Sequence, residues 1–185
     1  MINKILVAVD RSERNKSVFD SAVSLAQNTG ATLMLLHVLS EDEAGYPVLP
    51  TYSYYPMLDD RDYEVYREKL AEYKQWGINF LQNLTEKATS VGVKTEYTQL
   101  TGNPGRTICE LADNWSADLI LVGSRGLKGL KEMFLGSVSN YVTHHAPCSV
   151  LIVRTAIPHE SDSNSLTSKA KPANNNQPLT TSGGE

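Results

Sequence analysis

The segment Gly123-Ser124-Arg125-Gly126, followed after nine residues by Gly136-Ser137-Val138, has the residue types and spacing from which an anion site can be built. Holding a phosphate with main chain requires several N–H groups converging on one point with no Cβ between them and the guest. Glycines at a strand exit and at a helix entry meet that requirement. A helix start adds roughly half a positive charge, and the Ser137 hydroxyl can donate to a phosphate oxygen. The plainer alternative is three glycines that merely make turns. The order of apolar strand, paired glycines, third glycine, serine and helix favours the phosphate reading. Asp10, at the end of the apolar run Ile5–Val9, offers a carboxylate that can accept from ribose hydroxyls or hold Mg²⁺ through water. Its alternative role is to cap the following helix beside Ser12.

Other reactive residue types carry less. His144 and His145 are neighbours on a helix and point about 100° apart, so they do not chelate one ion. His37 lies inside an apolar strand, where a hydrogen-bonded structural role is the simpler expectation. Cys109 and Cys148 lack C-x-x-C spacing and read as small core residues in a reducing compartment. Arg106 either reaches toward an anion or stands solvated in the first turn of a helix. No Ser-His-Asp grouping or pair of carboxylates has usable spacing, and no catalytic residue is assigned.

Positioning these groups requires alternating elements. Ile5–Val9 is a continuous apolar run suited to a strand buried on both faces, and Thr32–Val38 is again apolar and short, so it reads as a second strand. Val18, Ala22, Leu25 and Ala26 recur at helical spacing between them, up to Gly30. A long amphipathic helix is predicted from about Asp60 to Ser90, with Leu70, Tyr73, Trp76, Phe80, Leu81 and Leu84 on one stripe. A strand at 93–100, a helix opened by Asn103-Pro104, a strand at 118–122, a helix near 138–145 and a strand at Ser149–Arg154 complete five strands and four helices. Such alternation implies an α/β fold, a single doubly wound, five-stranded parallel sheet with helices on both faces. Residues 41–60, with three prolines and four tyrosines, are too irregular for a routine connection. Tyr46, Tyr52, Tyr54 and Tyr55 in that insertion suit either a lid or interface, or a loosely packed loop. The domain is expected to span 1–155, and the polar tail 156–185 is expected to be disordered.

Length and charge limit the function. The 185 residues fit one domain plus a tail, and a net charge of −4 with interspersed signs provides no cationic face for nucleic acid. The opening apolar run is shorter than a signal peptide or a membrane span, so no membrane association and a cytoplasmic location are expected.

The G-x2-G-x9-G-S spacing resembles the nucleotide loop of the universal stress protein family in its ATP-binding form. The likeness extends over 1 to about 155. Val7-Ala-Val-Asp-x-Ser12, Leu35-Leu-His-Val38, Gly102-x-Pro104 and the closing Pro147-Cys-Ser-Val-Leu-Ile-Val153 are similar to that family too. The resemblance implies strand order 3-2-1-4-5, with Ala8 and Val38 lining an adenine pocket and Asp10 close to the ribose. Gly123, Ser124, Gly126, Gly136, Ser137 and Val138 would meet the phosphates of ATP, ADP or AMP. Arg125 stands where the family commonly has histidine, and it either contacts phosphate or faces solvent. The expected activity is an adenine-nucleotide-dependent regulatory switch in stress response. A slow ATPase and a nucleotide-independent scaffold are the alternatives. A homodimer through Ser149–Arg154 is expected from its edge position and from the resemblance.

Overall fold

The computed structural model describes residues 1–12, 15–43, 45–49, 60–124 and 135–154. The chain divides into Met1–Thr155 and Ala156–Glu185, and all described residues belong to the first unit. The predicted tail, Arg125, Gly126, and Tyr52, Tyr54 and Tyr55 lie outside the described residues.

The elements run β1 (Lys4–Val9), α1 (Asn15–Thr29), β2 (Thr32–Leu39), α2 (Asp60–Ser90), β3 (Thr95–Thr101), α3 (Pro104–Trp115), β4 (Leu119–Gly123), α4 (Ser137–His145) and β5 (Ser149–Val153). The strands form one parallel sheet in the order β3-β2-β1-β4-β5. The expected fold class and order are therefore those observed. Glycines stop the first two helices where the sequence suggests, with Gly30 at φ 72° and Gly92 at φ 86° in the left-handed region that side-chain-bearing residues avoid. Asn103 caps α3 as expected, its side-chain oxygen accepting from the Arg106 N–H at 3.2 Å, with Pro104 in the first turn.

Alternation along the central strands divides the core into two layers. Ile5, Val7, Leu33, Leu35, Leu119 and Leu121 pack with Val18, Phe19, Ala22 and Ala26 of α1 and Leu81, Leu84 and Ala88 of α2. Leu6, Leu36, Ile120 and Val122 face the other way, against Ile108 and Ala112 of α3 and Val142 of α4. Covering both faces is why β1, β2 and β4 read as unbroken apolar runs. β3 begins at Thr95 rather than at Val93 because Val93 closes the end of α2, donating to Ala88 O at 3.1 Å and burying its side chain in the α1/α2 layer. Among the described residues no helix is long and apolar enough to cross a membrane.

Candidate functional site

From β1 the chain crosses by α1 to β2 on one side, and α3 returns it to β4 on the other side of β1. The crevice where these connections part, beyond the carboxyl ends of β1 and β4, is the usual ligand position in such sheets. A pocket of about 310 Å³ occupies it, within the range of small-molecule sites. Ala8, Leu36, Val38, Ile108 and Val122 make an apolar wall, while Asp10, Ser12 and Asn15 enter from the β1–α1 connection. Gly123 and Ser124 arrive from β4, and Gly136, Ser137 and Val138 from the start of α4. All the described site residues expected from sequence thus border one cavity.

The start of α4 gives this cavity its electrostatic character. Gly136 occupies the N-cap position in extended conformation, φ −62° and ψ 159°, and contributes no side-chain hydrogen bond to the helix. Among the described residues the first amides of α4 consequently have no capping side chain at the pocket wall. Ser139, 3 % exposed, donates through Oγ to Gly123 O at 2.6 Å, tying the helix start to the strand exit. At Gly123 an added Cβ would lie 3.1 Å from Val18 Cγ2, so this glycine also serves the close seat of α1 beneath β4. The Ser124 N–H donates to Val153 O at 3.0 Å, continuing the β4–β5 ladder, so this amide is already engaged within the sheet and is not free for a phosphate. Asp10 Oδ1 accepts from both the Ser12 N–H at 2.9 Å and the Ser12 Oγ at 2.5 Å, so the carboxylate organises the turn while bordering the pocket. Among the described residues no group of three or more His, Cys, Asp or Glu side chains is arranged to hold a metal.

Several pocket residues carried no signal in the sequence. Asn15, at the first position of α1, is 7 % exposed, and its Oδ1 is buried without a hydrogen-bond partner. Tyr141 of α4 lies against Gly105, where a Cβ would come within 2.8 Å of the ring, and stacks on His145 at 4.1 Å between centroids. Asp42 and Glu43 bring the segment after β2 to the pocket's edge.

Glu43 belongs to a polar cluster behind the pocket. His37, fully buried, donates from Nε2 to both Glu43 oxygens at 3.2 Å, and its Nδ1 accepts from the Gln99 amide at 3.1 Å. Tyr73 of α2 donates its hydroxyl to Glu43 Oε2. Burial pushes the Glu43 carboxyl up, but the hydrogen bonds from His37 and Tyr73 outweigh it and hold the group below its ordinary value. Burial, then the Glu43 hydrogen bond, drive the Tyr73 phenol well above its own. The Arg11 guanidinium lies 4.0 Å over the Trp76 ring, joining the β1–α1 connection to α2. Tyr46 meets Tyr73 edge-on at 5.5 Å.

The remaining candidates have ordinary partners. Arg106, solvent-exposed, donates from Nε to Glu110 Oε1 at 2.6 Å. His145 Nδ1 lies 2.9 Å from Tyr141 O, one helical turn back. Cys109 and Cys148 are free, half-buried thiols, and burial raises both.

Residues 1–154 match the Universal stress protein family. The chain belongs to that family. Among its relatives is Universal stress protein Sll1388 of Synechocystis sp. (strain ATCC 27184 / PCC 6803 / Kazusa), 42% identical over 151 residues, which span 82% of this chain and 97% of that protein. The solved structure of hypothetical protein MJ0577 superposes with a TM-score of 0.67 at 26% identity, over 84% of this chain and 97% of that one. A universal stress protein solved in complex with cAMP gives a TM-score of 0.55 at 23% identity, over 83% of this chain and 97% of that one, a likeness of fold. The doubly wound sheet, in the order β3-β2-β1-β4-β5, is the fold this chain shares with its structural relatives.

Proposed function

We propose that the protein binds an adenine nucleotide in the crevice beyond β1 and β4 and acts as a nucleotide-dependent regulatory module of a stress response in the cytoplasm. The observation that carries this reading is the start of α4, opening on the pocket with Gly136 at its N-cap, where the cap residue offers its first amides no side-chain hydrogen bond. Such a helix end favours a phosphate, and the apolar wall of Ala8, Leu36, Val38, Ile108 and Val122 favours a flat base. In this arrangement Ala8 and Val38 hold the adenine and Asp10 stands at the ribose. Gly123, Gly136, Ser137 and Val138 hold the phosphates, joined by the Ser124 side chain; Arg125 and Gly126, assigned to the phosphates from sequence, lie outside the described residues. The bound cAMP of a structural relative agrees in ligand class. ATP, ADP and AMP share the base and sugar on which the wall acts. Mg²⁺ would arrive on the phosphates, with Asp10 reaching it through water, because a lone carboxylate is a poor inner-sphere cage.

Isothermal titration with Mg-ATP, ADP, AMP and cAMP tests the proposal. Binding of at least one of these is expected in the wild type. In Gly136→Asp a carboxylate at the helix start would both block and repel phosphate, and at least about a tenfold loss is expected, the equivalent of about 1.4 kcal/mol. A correctly folded wild type with no affinity for any of the four would overturn the reading. Phosphate release in the ATP samples separates a binding switch from a slow ATPase.

A further inference from the structure

Three consecutive residues leave β1, and their side chains part. Asp10 and Ser12 border the pocket, whereas Arg11 between them does not. The Arg11 guanidinium lies 4.0 Å over the Trp76 ring and 5.4 Å from the centre of the Tyr73 ring, both on α2. Among the described residues none of α2 borders the pocket. An arginine that served an anionic guest directly would line the cavity; this one is turned onto an aromatic pair outside it.

We infer that Arg11 is a positioning residue for nucleotide binding: seated on Trp76, it holds the β1–α1 turn so that the Asp10 carboxylate stands where the ribose arrives. The inference rests on the adenine-nucleotide reading of this pocket and adds to it the residue that presets the sugar end of the site.

The turn carries its own shape but not its own anchor. Asp10 Oδ1 accepts from the Ser12 N–H and the Ser12 hydroxyl, and these bonds, being local, leave the tilt of the turn over the pocket to other contacts. Arg11 supplies one to a different element, α2, which Leu81, Leu84 and Ala88 seat in the core. The seat itself is held. Trp76 stacks on Phe80 with centroids 5.1 Å apart and meets the buried His37 edge-on at 6.0 Å. Tyr73, three residues earlier and so on the same helix face, donates to Glu43 at the pocket's edge. The chain after β2 passes close by at Gly45, φ 89°, where a Cβ would come within 3.0 Å of Arg11 Nη1. A guanidinium suits this post because it is planar, always charged and weakly hydrated, so resting on an indole face costs it little water. Apparent affinity falls with the fraction of molecules whose site is in the competent geometry, which is how a residue remote from the guest acts on binding.

The test is isothermal titration of AMP and ATP into wild type, Arg11→Ala, Trp76→Leu and the double variant. Arg11 is exposed, and a cation–π contact at such a site corresponds to about a two- to fivefold change in an equilibrium constant. With two rings beneath it, Arg11→Ala is expected to weaken AMP at least about threefold. ATP should weaken by the same factor, because the added phosphates make no contact with Arg11. Trp76→Leu should lose affinity too, and the double variant should lose clearly less than the product of the two single losses, since one residue acts through the other. Arg11→Lys, which keeps the cation without the plane, should recover part of the affinity. A loss that grows from AMP to ATP would make Arg11 a direct phosphate contact, and losses that multiply in the double variant would separate it from Trp76; either overturns the inference. So does an Arg11→Ala affinity equal to wild type, whatever its melting temperature. A wild type that binds neither nucleotide overturns the nucleotide reading itself, and this inference with it. Arg11→Gln and Trp76→Phe, the latter with a smaller expected loss, carry the same comparison if the first variants do not fold.

Discussion

Gly77 sits in the interior of a 31-residue helix, where alanine would ordinarily be better by about 1 kcal/mol. Here a Cβ would lie 2.0 Å from the Gln99 amide nitrogen and 2.6 Å from His37 Nδ1. Gln99 can swing aside, but His37 is fixed by Glu43 and wholly buried, so overpacking of about 1–3 kcal/mol should win over propensity. Gly77→Ala is therefore expected to lower the melting temperature by a few degrees, and an unchanged or raised value in a thermal melt would refute this account. At this scale the sequence disclosed the residues whose meaning is local. Asn103-Pro104 announced a helix start, and the glycine spacing announced a loop. It did not disclose Gly77 or the engagement of the Ser124 N–H, because each depends on a partner distant in the chain: His37 and Gln99 for the first, Val153 for the second.

The segment after β2 is fastened to α2 mainly through one carboxylate. Glu43 accepts from His37 and Tyr73, and its carboxyl is held below the ordinary glutamate value despite the opposing effect of burial. A group with a depressed folded-state pKa contributes stability above its unfolded value, and that contribution is lost as pH falls through the lowered one. Unfolding by urea should therefore show a stability component that is full at neutral pH and declines on acidification below the usual glutamate range of about 4.3. In Glu43→Gln that component should be missing, and parallel pH profiles for the two proteins would exclude the clasp as its source. The elements themselves were legible in type and order, since their apolar runs and stripes are strong. Their ends were less so. The start of β3 moved because Val93 serves the end of α2, a choice between two packings that a single β-branched residue does not announce. The approach of Asp42 and Glu43 to the pocket is also a tertiary outcome, set by the pairing of His37 with Glu43.

For the molecule as a whole, β5 is an edge strand with Leu151 43% exposed. Edges of this kind need cover, and a second copy adding at β5 would provide it. Sedimentation at tens of micromolar, a concentration suited to an interface of ordinary size of about 1,600 Å², is expected to give a dimer, and Leu151→Lys a monomer. Wild type sedimenting only as a monomer would dismiss the idea. The doubly wound architecture was readable from alternation, whereas the order of the strands was anticipated through family likeness. Parallel pairing leaves no local mark on the chain, because neighbouring strands such as β1 and β4 lie more than a hundred residues apart.

The cavity draws its walls from α1 on one side of the sheet and from α3 and α4 on the other. A guest lodged there would act as a rivet through both layers, so its grip should be felt far from the crevice. Saturation at about a hundred times the dissociation constant would add about 2.7 kcal/mol to global stability. Heating with graded ligand should then shift the unfolding of both layers together, as one cooperative step.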